Sequence, residues 1–293
     1  MAASDPALAV ESPLRPEELD DADALVREAG WNQVAADWRA FLDLGTVYAV
    51  RTSADRVVAT AATLPYSDRF AWIGMVLVAG AYRRQGLATR LMRRCIDDLE
   101  AARLVPVLDA TPAGRAVYRA LGFEDSWGFQ RLERYEPQPV SAPPALPFGV
   151  ALLPIDDAVW PAICAYDTAV FGADRGALLA RLQGRLPADA ELCAMRDGRV
   201  AGFILGRDGR LATELGPLVA DDEATASALF AHALAAVTGP VFVDLVDGKR
   251  TLRGFLDSCG FRPQRPFTRM LLGRAAAFND GARTFAVVGP EFG

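Results

Sequence analysis

Between Val76 and Ala88 the chain reads Val-Leu-Val-Ala-Gly-Ala-Tyr-Arg-Arg-Gln-Gly-Leu-Ala, an apolar β-rich run that breaks into a basic, glycine-bearing turn and then opens a helix. Arg83, Gly86 and Ala88 stand at i, i+3 and i+5. The small residues let the backbone N–H groups of the first helical turn approach an anion closely, and Arg83 and Arg84 supply charge, so the junction suits a pyrophosphate. Downstream, Ala116-Val117-Tyr118-Arg119-Ala120-Leu121-Gly122-Phe123 places a tyrosine on a helical pattern four residues before a Gly-Phe pair.

The segment Arg83-Arg84-Gln85-Gly86-Leu87-Ala88 fits the pattern Arg/Gln-x-x-Gly-x-Gly/Ala after a strand, and so resembles the cofactor motif of the GNAT N-acyltransferases. The Tyr118 helix with Gly122-Phe123 resembles that family's other hallmark, in the family's order and spacing. The resemblance implies acetyl-CoA as the acyl donor. It puts the backbone of Val76, Leu77 and Val78 alongside the pantetheine arm like an added strand, with an N–H near Leu77 polarising the thioester oxygen. Arg83, Arg84, Gln85, Gly86, Leu87, Ala88 and Thr89 would surround the pyrophosphate, and Tyr118 would protonate the leaving sulfur. Two features depart from the family pattern. Thr111 stands where many members place an asparagine that touches the cofactor arm, and its hydroxyl would substitute there as a cofactor-binding group. Neither Ala71–Val78 nor Leu104–Leu108 contains the glutamate that many members use as general base, which leaves Asp109, at the strand end, or a water relay. The expected acceptor is a primary amine of a small molecule or peptide. The competing expectation, favoured by the missing glutamate and opposed by Tyr118, is a non-catalytic acyl-CoA-binding sensor or scaffold.

Composition narrows the alternatives. The 293 residues are 52% hydrophobic, enough to fill two cores. A net charge of -6, with few basic clusters outside residues 83–94, argues against a nucleic-acid partner and mildly favours a cationic or amine-bearing one. Cys95, Cys164, Cys193 and Cys259 are widely spaced and His232 is the sole histidine, so neither a metal site nor a histidine-based triad is expected. No basic region followed by an apolar core opens the chain, and no apolar stretch approaches spanning length, so the expectation is a cytoplasmic protein with no membrane partner and reduced thiols.

Pro137, Pro139, Pro143, Pro144 and Pro147 crowd a stretch that can continue neither a helix nor a central strand, which marks residues 137–147 as a linker between units 1–136 and 148–293. The first unit reads β, α, α, β, β, β, α, β, α, β, its first strand falling near residues 8–11. The helix over 84–102 carries Leu87, Leu91, Cys95 and Leu99 on one stripe. The second unit repeats the order, and Leu218-Val219-Ala220 echoes Leu77-Val78-Ala79. The fold expected is α/β (α+β): two tandem GNAT-like domains, each a mixed twisted sheet flanked by helices.

The second copy differs at the chemistry. Asp221-Asp222-Glu223 replaces the glycine and arginines at the helix start, where carboxylates answer the helix dipole themselves, and Leu256 aligns with Tyr118. A degenerate, noncatalytic lobe that shapes the acceptor site or forms a homodimer is expected. Phe171-Gly172-Ala173-Asp174-Arg175 and the ending Val288-Gly289-Pro290-Glu291-Phe292-Gly293 resemble the C-terminal domain of tandem GNAT proteins. Arg207, Arg269 and Asp244 are candidates for a cleft between the halves, and His232 for a partly buried packing residue.

Overall fold

A computed structural model describes residues 12–136 and 144–293. The strand expected near 8–11 and most of the proline-rich linker lie outside the described residues. By compactness the chain divides at residues 108/109 rather than at the linker.

The first unit contains β1 (Ser12–Pro13), α1 (Leu19–Ala29), α2 (Ala35–Leu44), β2 (Thr46–Arg51), β3 (Val57–Tyr66), β4 (Phe70–Val78), α3 (Leu87–Ala101) and most of β5 (Val105–Ala110). The strands lie in chain order, antiparallel until β4 meets β5 in parallel. α3 buries Leu87, Leu91, Met92, Cys95, Ile96 and Leu99 and turns Arg90, Arg93 and Asp97 to water, as its stripe requires. It begins at Leu87, not at 84, because Arg84 (φ 62) and Gly86 (φ 80) are left-handed and cannot belong to a right-handed helix.

The second unit contains α4 (Pro112–Ala120), β6 (Phe123–Arg134), β7 (Val150–Pro154), α5 (Trp160–Phe171), α6 (Gly176–Leu182), β8 (Leu192–Arg196) and β9 (Arg199–Arg207). It continues with β10 (Thr213–Ala220), α7 (Glu223–Ala236), β11 (Val241–Val246), α8 (Arg250–Ser258), β12 (Arg262–Leu272) and β13 (Thr284–Ala286). Its strands follow one another as β12-β6-β11-β13-β10-β9-β8-β7. β6 belongs to the first repeat in sequence, yet it lies between β11 and β12, antiparallel to both. Ladders along its whole length, from Phe123 to Arg134, explain why the compact division precedes the linker. α7 is buried nearly all round and forms the centre of the core with Ile204, Leu218, Leu229, Phe230, Val243, Leu252 and Phe261.

The residues expected to line a cleft between the halves do otherwise. The Arg131 guanidinium on β6 donates to both oxygens of Asp244 on β11, through Nε (2.9 Å) and Nη2 (2.6 Å), and to Glu214 on β10 (2.5 Å). Arg207 on β9 donates to Glu214 (2.9 Å) and Glu291 (2.5 Å). All five side chains are buried, so Arg207 and Asp244 belong to an interior ion network. Burial pushes the Asp244 carboxyl up while Arg131 pulls it down. Removing one member of such a network leaves uncompensated charge in the interior. Arg131→Met should therefore lower the free energy of urea unfolding by roughly 3–5 kcal/mol; an unchanged unfolding curve would mean the network is not closed in solution.

Candidate functional site

The site in the first unit starts from a defect in β4. Opposite Ala61 of β3 stand two residues, Met75 and Val76, because the register runs Ala62↔Gly74 and then Thr60↔Leu77. This is a β-bulge, which leaves one residue outside the ladder and re-aims the backbone beyond it. Met75 holds φ 52, a left-handed conformation that costs a non-glycine residue on the order of 1–3 kcal/mol and is found where surroundings enforce it. The Thr60 hydroxyl, buried, donates to the Met75 carbonyl at 2.8 Å and fixes the bulge.

Beyond the bulge β4 loses its other neighbour. Its parallel register with β5 ends at Trp72↔Val107, although β4 runs on to Val78. Among the described residues no strand in this unit takes up that edge, so the backbone of Val76, Leu77 and Val78 faces a wedge that an extended ligand could join as a strand.

The turn after β4 is braced from α1. Glu28 accepts from the Gly80 amide (2.5 Å), and the Arg83 guanidinium donates to the Val78 carbonyl (3.1 Å) and lies 3.7 Å from Glu28. Arg83 is thus partly a brace, which its motif position did not reveal. Arg84 is exposed and has no hydrogen-bond or ion-pair partner among the described residues, and Gln85 is exposed with a long contact to the Ala81 carbonyl (3.4 Å). Gly86 is the N-cap of α3, at φ 80 with no neighbour near a hypothetical Cβ, so the backbone conformation alone demands glycine. No side chain caps this helix and no acid stands in its first turn. The amides of Leu87, Ala88 and Thr89 are left for an anion, favoured further by the positive end of the helix dipole.

In the second unit, Thr111 is the N-cap of α4: its hydroxyl accepts from the Gly114 amide at 3.2 Å. The resemblance puts the same hydroxyl on a cofactor arm, and the structure adds this capping role. Tyr118 lies half-buried on α4, its ring edge-on to Phe123 at 6.2 Å. Its hydroxyl has no hydrogen-bond partner among the described residues, and burial pushes its pKa up to about 12. A protonated, unpartnered phenol is free to give its proton elsewhere.

Asp109 is corrected most. Both its oxygens are taken by the Arg269 guanidinium of β12, each at 2.9 Å, and Trp127 stacks on that guanidinium at 4.2 Å. Burial raises the Asp109 carboxyl against the pull of Arg269. Both Asp109 oxygens are engaged fork to fork by Arg269 and the side chain is buried, so the structure gives it a structural partner where a general base was expected.

The second repeat shows the same elements with different residues at the corresponding places. β10 has a matching bulge, Gly216 and Pro217 standing opposite Leu205, and Pro217 has no N–H to offer. Asp222 caps α7 by accepting from the Thr225 amide (2.8 Å) and pairs with Arg196 (2.7 Å). Glu223 accepts from the Thr251 amide (2.8 Å) at the start of α8, and Asp221 accepts from the Tyr166 hydroxyl (2.8 Å). Leu256, at the place of Tyr118, is core. His232, expected to pack, is exposed, with Nδ1 2.8 Å from the Ala228 carbonyl. Among the described residues no cluster could hold a metal ion, and no helix is long and apolar enough to cross a membrane.

Comparisons with known proteins agree with this geometry. Residues 13–123 match the model of the acetyltransferase (GNAT) family and residues 163–286 that of an acetyltransferase (GNAT) domain. No curated protein matches. Among solved structures, the chain is similar to a protein of Pyrococcus horikoshii provisionally called an acetyltransferase, at 18% identity over 100% of both chains with a TM-score of 0.77. A GCN5-related N-acetyltransferase of Sphaerobacter thermophilus gives 13% identity over 94% of this chain and 100% of that one, at a TM-score of 0.63. A tandem GNAT protein of the clavulanic acid biosynthesis pathway gives 18% identity over 89% and 97%, also at 0.63. At these identities the structures speak for the fold.

The Asp109–Arg269 pair is open to test. Arg269→Gln strands a buried carboxylate and should cost roughly 3–5 kcal/mol in urea unfolding. The deficit should shrink as pH falls, because Asp109 then takes up a proton and the charge disappears. Adding Asp109→Asn, which replaces the charge pair with an amide pair, should return most of the loss. A single variant as stable as its parent would show that the pair holds nothing.

Proposed function

The chain belongs to the GNAT acetyltransferase family, with one such domain in each half, and from that premise we propose that it is an N-acyltransferase moving an acetyl group from acetyl-CoA to a primary amine of a small molecule or peptide. The observation that supports this best is the uncapped N-terminus of α3 behind a left-handed glycine, beside a free arginine and below an unpaired strand edge. That donor set matches the coenzyme's pyrophosphate and amide arm in type and order.

Acetyl-CoA supplies a thioester whose carbonyl carbon accepts the amine. This chain's residues do the rest. Leu87, Ala88 and Thr89 hold the pyrophosphate by their amides, and Arg84, with the braced Arg83, adds charge. The amides released by the Met75–Val76 bulge polarise the carbonyl oxygen as negative charge develops on it. The new N–C bond forms, the C–S bond breaks, and the thiolate takes the proton of the Tyr118 hydroxyl. The surplus amine proton leaves to water, which also returns a proton to Tyr118, since neither β4 nor β5 carries a glutamate and Asp109 is engaged.

Two outcomes test this. Tyr118→Phe should lower kcat by roughly 10²–10⁴ with little change in stability, because the deleted hydroxyl has no partner to lose. The native acid should stay protonated through the working range. With a folded pKa of about 12 above the ordinary 10, the tyrosine's contribution to stability is full below pH 10 and fades as pH rises to about 12. The readout is thiol release across a panel of amines: acceptor-dependent release that collapses in the variant supports the enzyme, whereas coenzyme uptake without turnover identifies an acyl-CoA sensor.

Ala88→Asp separates binding from folding. A carboxylate in the first turn of α3 should stabilise the helix by roughly 0.3–1 kcal/mol. Placed about 4 Å from a pyrophosphate, the same charge repels it by about 4 kcal/mol, or about a thousandfold in affinity. Calorimetric titration with acetyl-CoA reads the second effect, and undiminished affinity would remove the site from this helix.

A further inference from the structure

Each repeat splays a parallel pair of strands, but the two wedges end differently. In the second, β10 and β11 are in register only at Thr213↔Val241 and Glu214↔Phe242, and β13 then enters between them. It lies antiparallel to both, with Leu218↔Ala286 and Val219↔Thr284 on one side and Leu245↔Ala286 on the other. Just outside the strand the Val287 amide donates to the Asp244 carbonyl of β11 (3.2 Å), and the Ala220 amide of β10 donates to the Arg283 carbonyl (3.1 Å).

We propose that residues 284–287 are an internal substitute for the amide-bearing arm of an acyl-CoA: the chain's own strand closes the second cofactor cleft, so each chain takes up one coenzyme. The count of one rests on the function proposed above for the first repeat, whereas closure of the second cleft does not.

The segment is built to stay. Phe285 is part of the core, and Lys249 lies over its ring at 4.0 Å while donating to the carbonyls of Gly281 (2.9 Å) and Ala282 (2.6 Å). Farther along, Glu291 pairs with buried Arg207 at 2.5 Å. β10 makes room for it with glycine at the bulge, since a Cβ on Gly216 would stand 2.2 Å from the Val287 carbonyl oxygen. An extended ligand binds such a wedge by adding a strand and satisfying the exposed N–H and C=O groups. β13 satisfies them already, and the acids at the start of α7 repel the phosphates of any competitor.

Hydrogen exchange followed by mass spectrometry on the full chain tests the closure, with and without saturating acetyl-CoA. The expected result is slow exchange across 284–287 in both states, with new protection only across 83–89. Fast exchange across 284–287 in the free protein, or its acceleration on adding acetyl-CoA, would overturn the proposal, as would a calorimetric stoichiometry of two per chain. In Gly216→Ala, where the added methyl collides with Val287, exchange across 284–287 should rise at least tenfold; the wild-type measurement stands if that variant does not fold. Absence of any acetyl-CoA uptake would defeat the reading of the first repeat and leave exchange at 284–287 in the free protein to judge the closure.

Discussion

A parallel strand pair that diverges leaves backbone N–H and C=O groups without partners, and in a folded chain those groups must be met by something. The rest of this structure follows from how that requirement is answered twice. In the first unit β4 leaves β5 after Trp72 and its edge stays open as far as Val78. In the second unit β10 leaves β11 after Glu214, and β13 takes the vacated edge on both sides. An open edge is a binding surface for something that resembles a strand; a filled one is core.

The helix that follows each wedge obeys the same rule. α3 starts without a side-chain cap or an acid in its first turn, so its leading amides and dipole remain available. α7 starts with Asp222 on its own Thr225 amide and with Arg196 balancing the carboxylate. The bulges differ in kind as well. Met75 accepts a strained conformation held by Thr60, while the second repeat has Gly216 and Pro217, which removes an amide donor where the first repeat has one to give. Strain is retained in the bulge of one copy and not in that of the other.

Most of what makes the first site was legible because it is local. The turn from Arg83 to Ala88, the stripe on α3, the acids before α7 and the order of the elements are all short-range patterns, and the structure has each of them. What the sequence concealed is non-local. The insertion of β6 between β11 and β12, the Asp109–Arg269 pair and the entry of β13 join residues far apart in the chain, with no periodicity that announces a partner. Asp109 shows the limit well: a carboxylate at a strand end has the same spacing whether it faces a substrate or an arginine 160 positions away. The helix start at Leu87 is hidden for a smaller reason, since left-handed backbone at Arg84 is a property of tertiary context rather than of arginine.

The second repeat, with an acid-capped helix start and Leu256 in place of a tyrosine, still has positional work. β12 pairs with β6 from Phe123 to Glu133 and β11 from Phe129 to Arg134, and β12 carries Arg269. That guanidinium fixes Asp109, two residues before Thr111, which caps the helix bearing Tyr118. Trp127 of β6 stacks on the same guanidinium and donates from its indole nitrogen to Asn279 (3.2 Å), which in turn donates to Thr284 at the head of β13 (3.2 Å). The strand that fills the second wedge is therefore joined, through three side chains, to the turn that sets the first repeat's tyrosine. Coupling of this kind needs no movement. Each link is a satisfied contact, buried or half-buried, and together they brace the start of the Tyr118 helix.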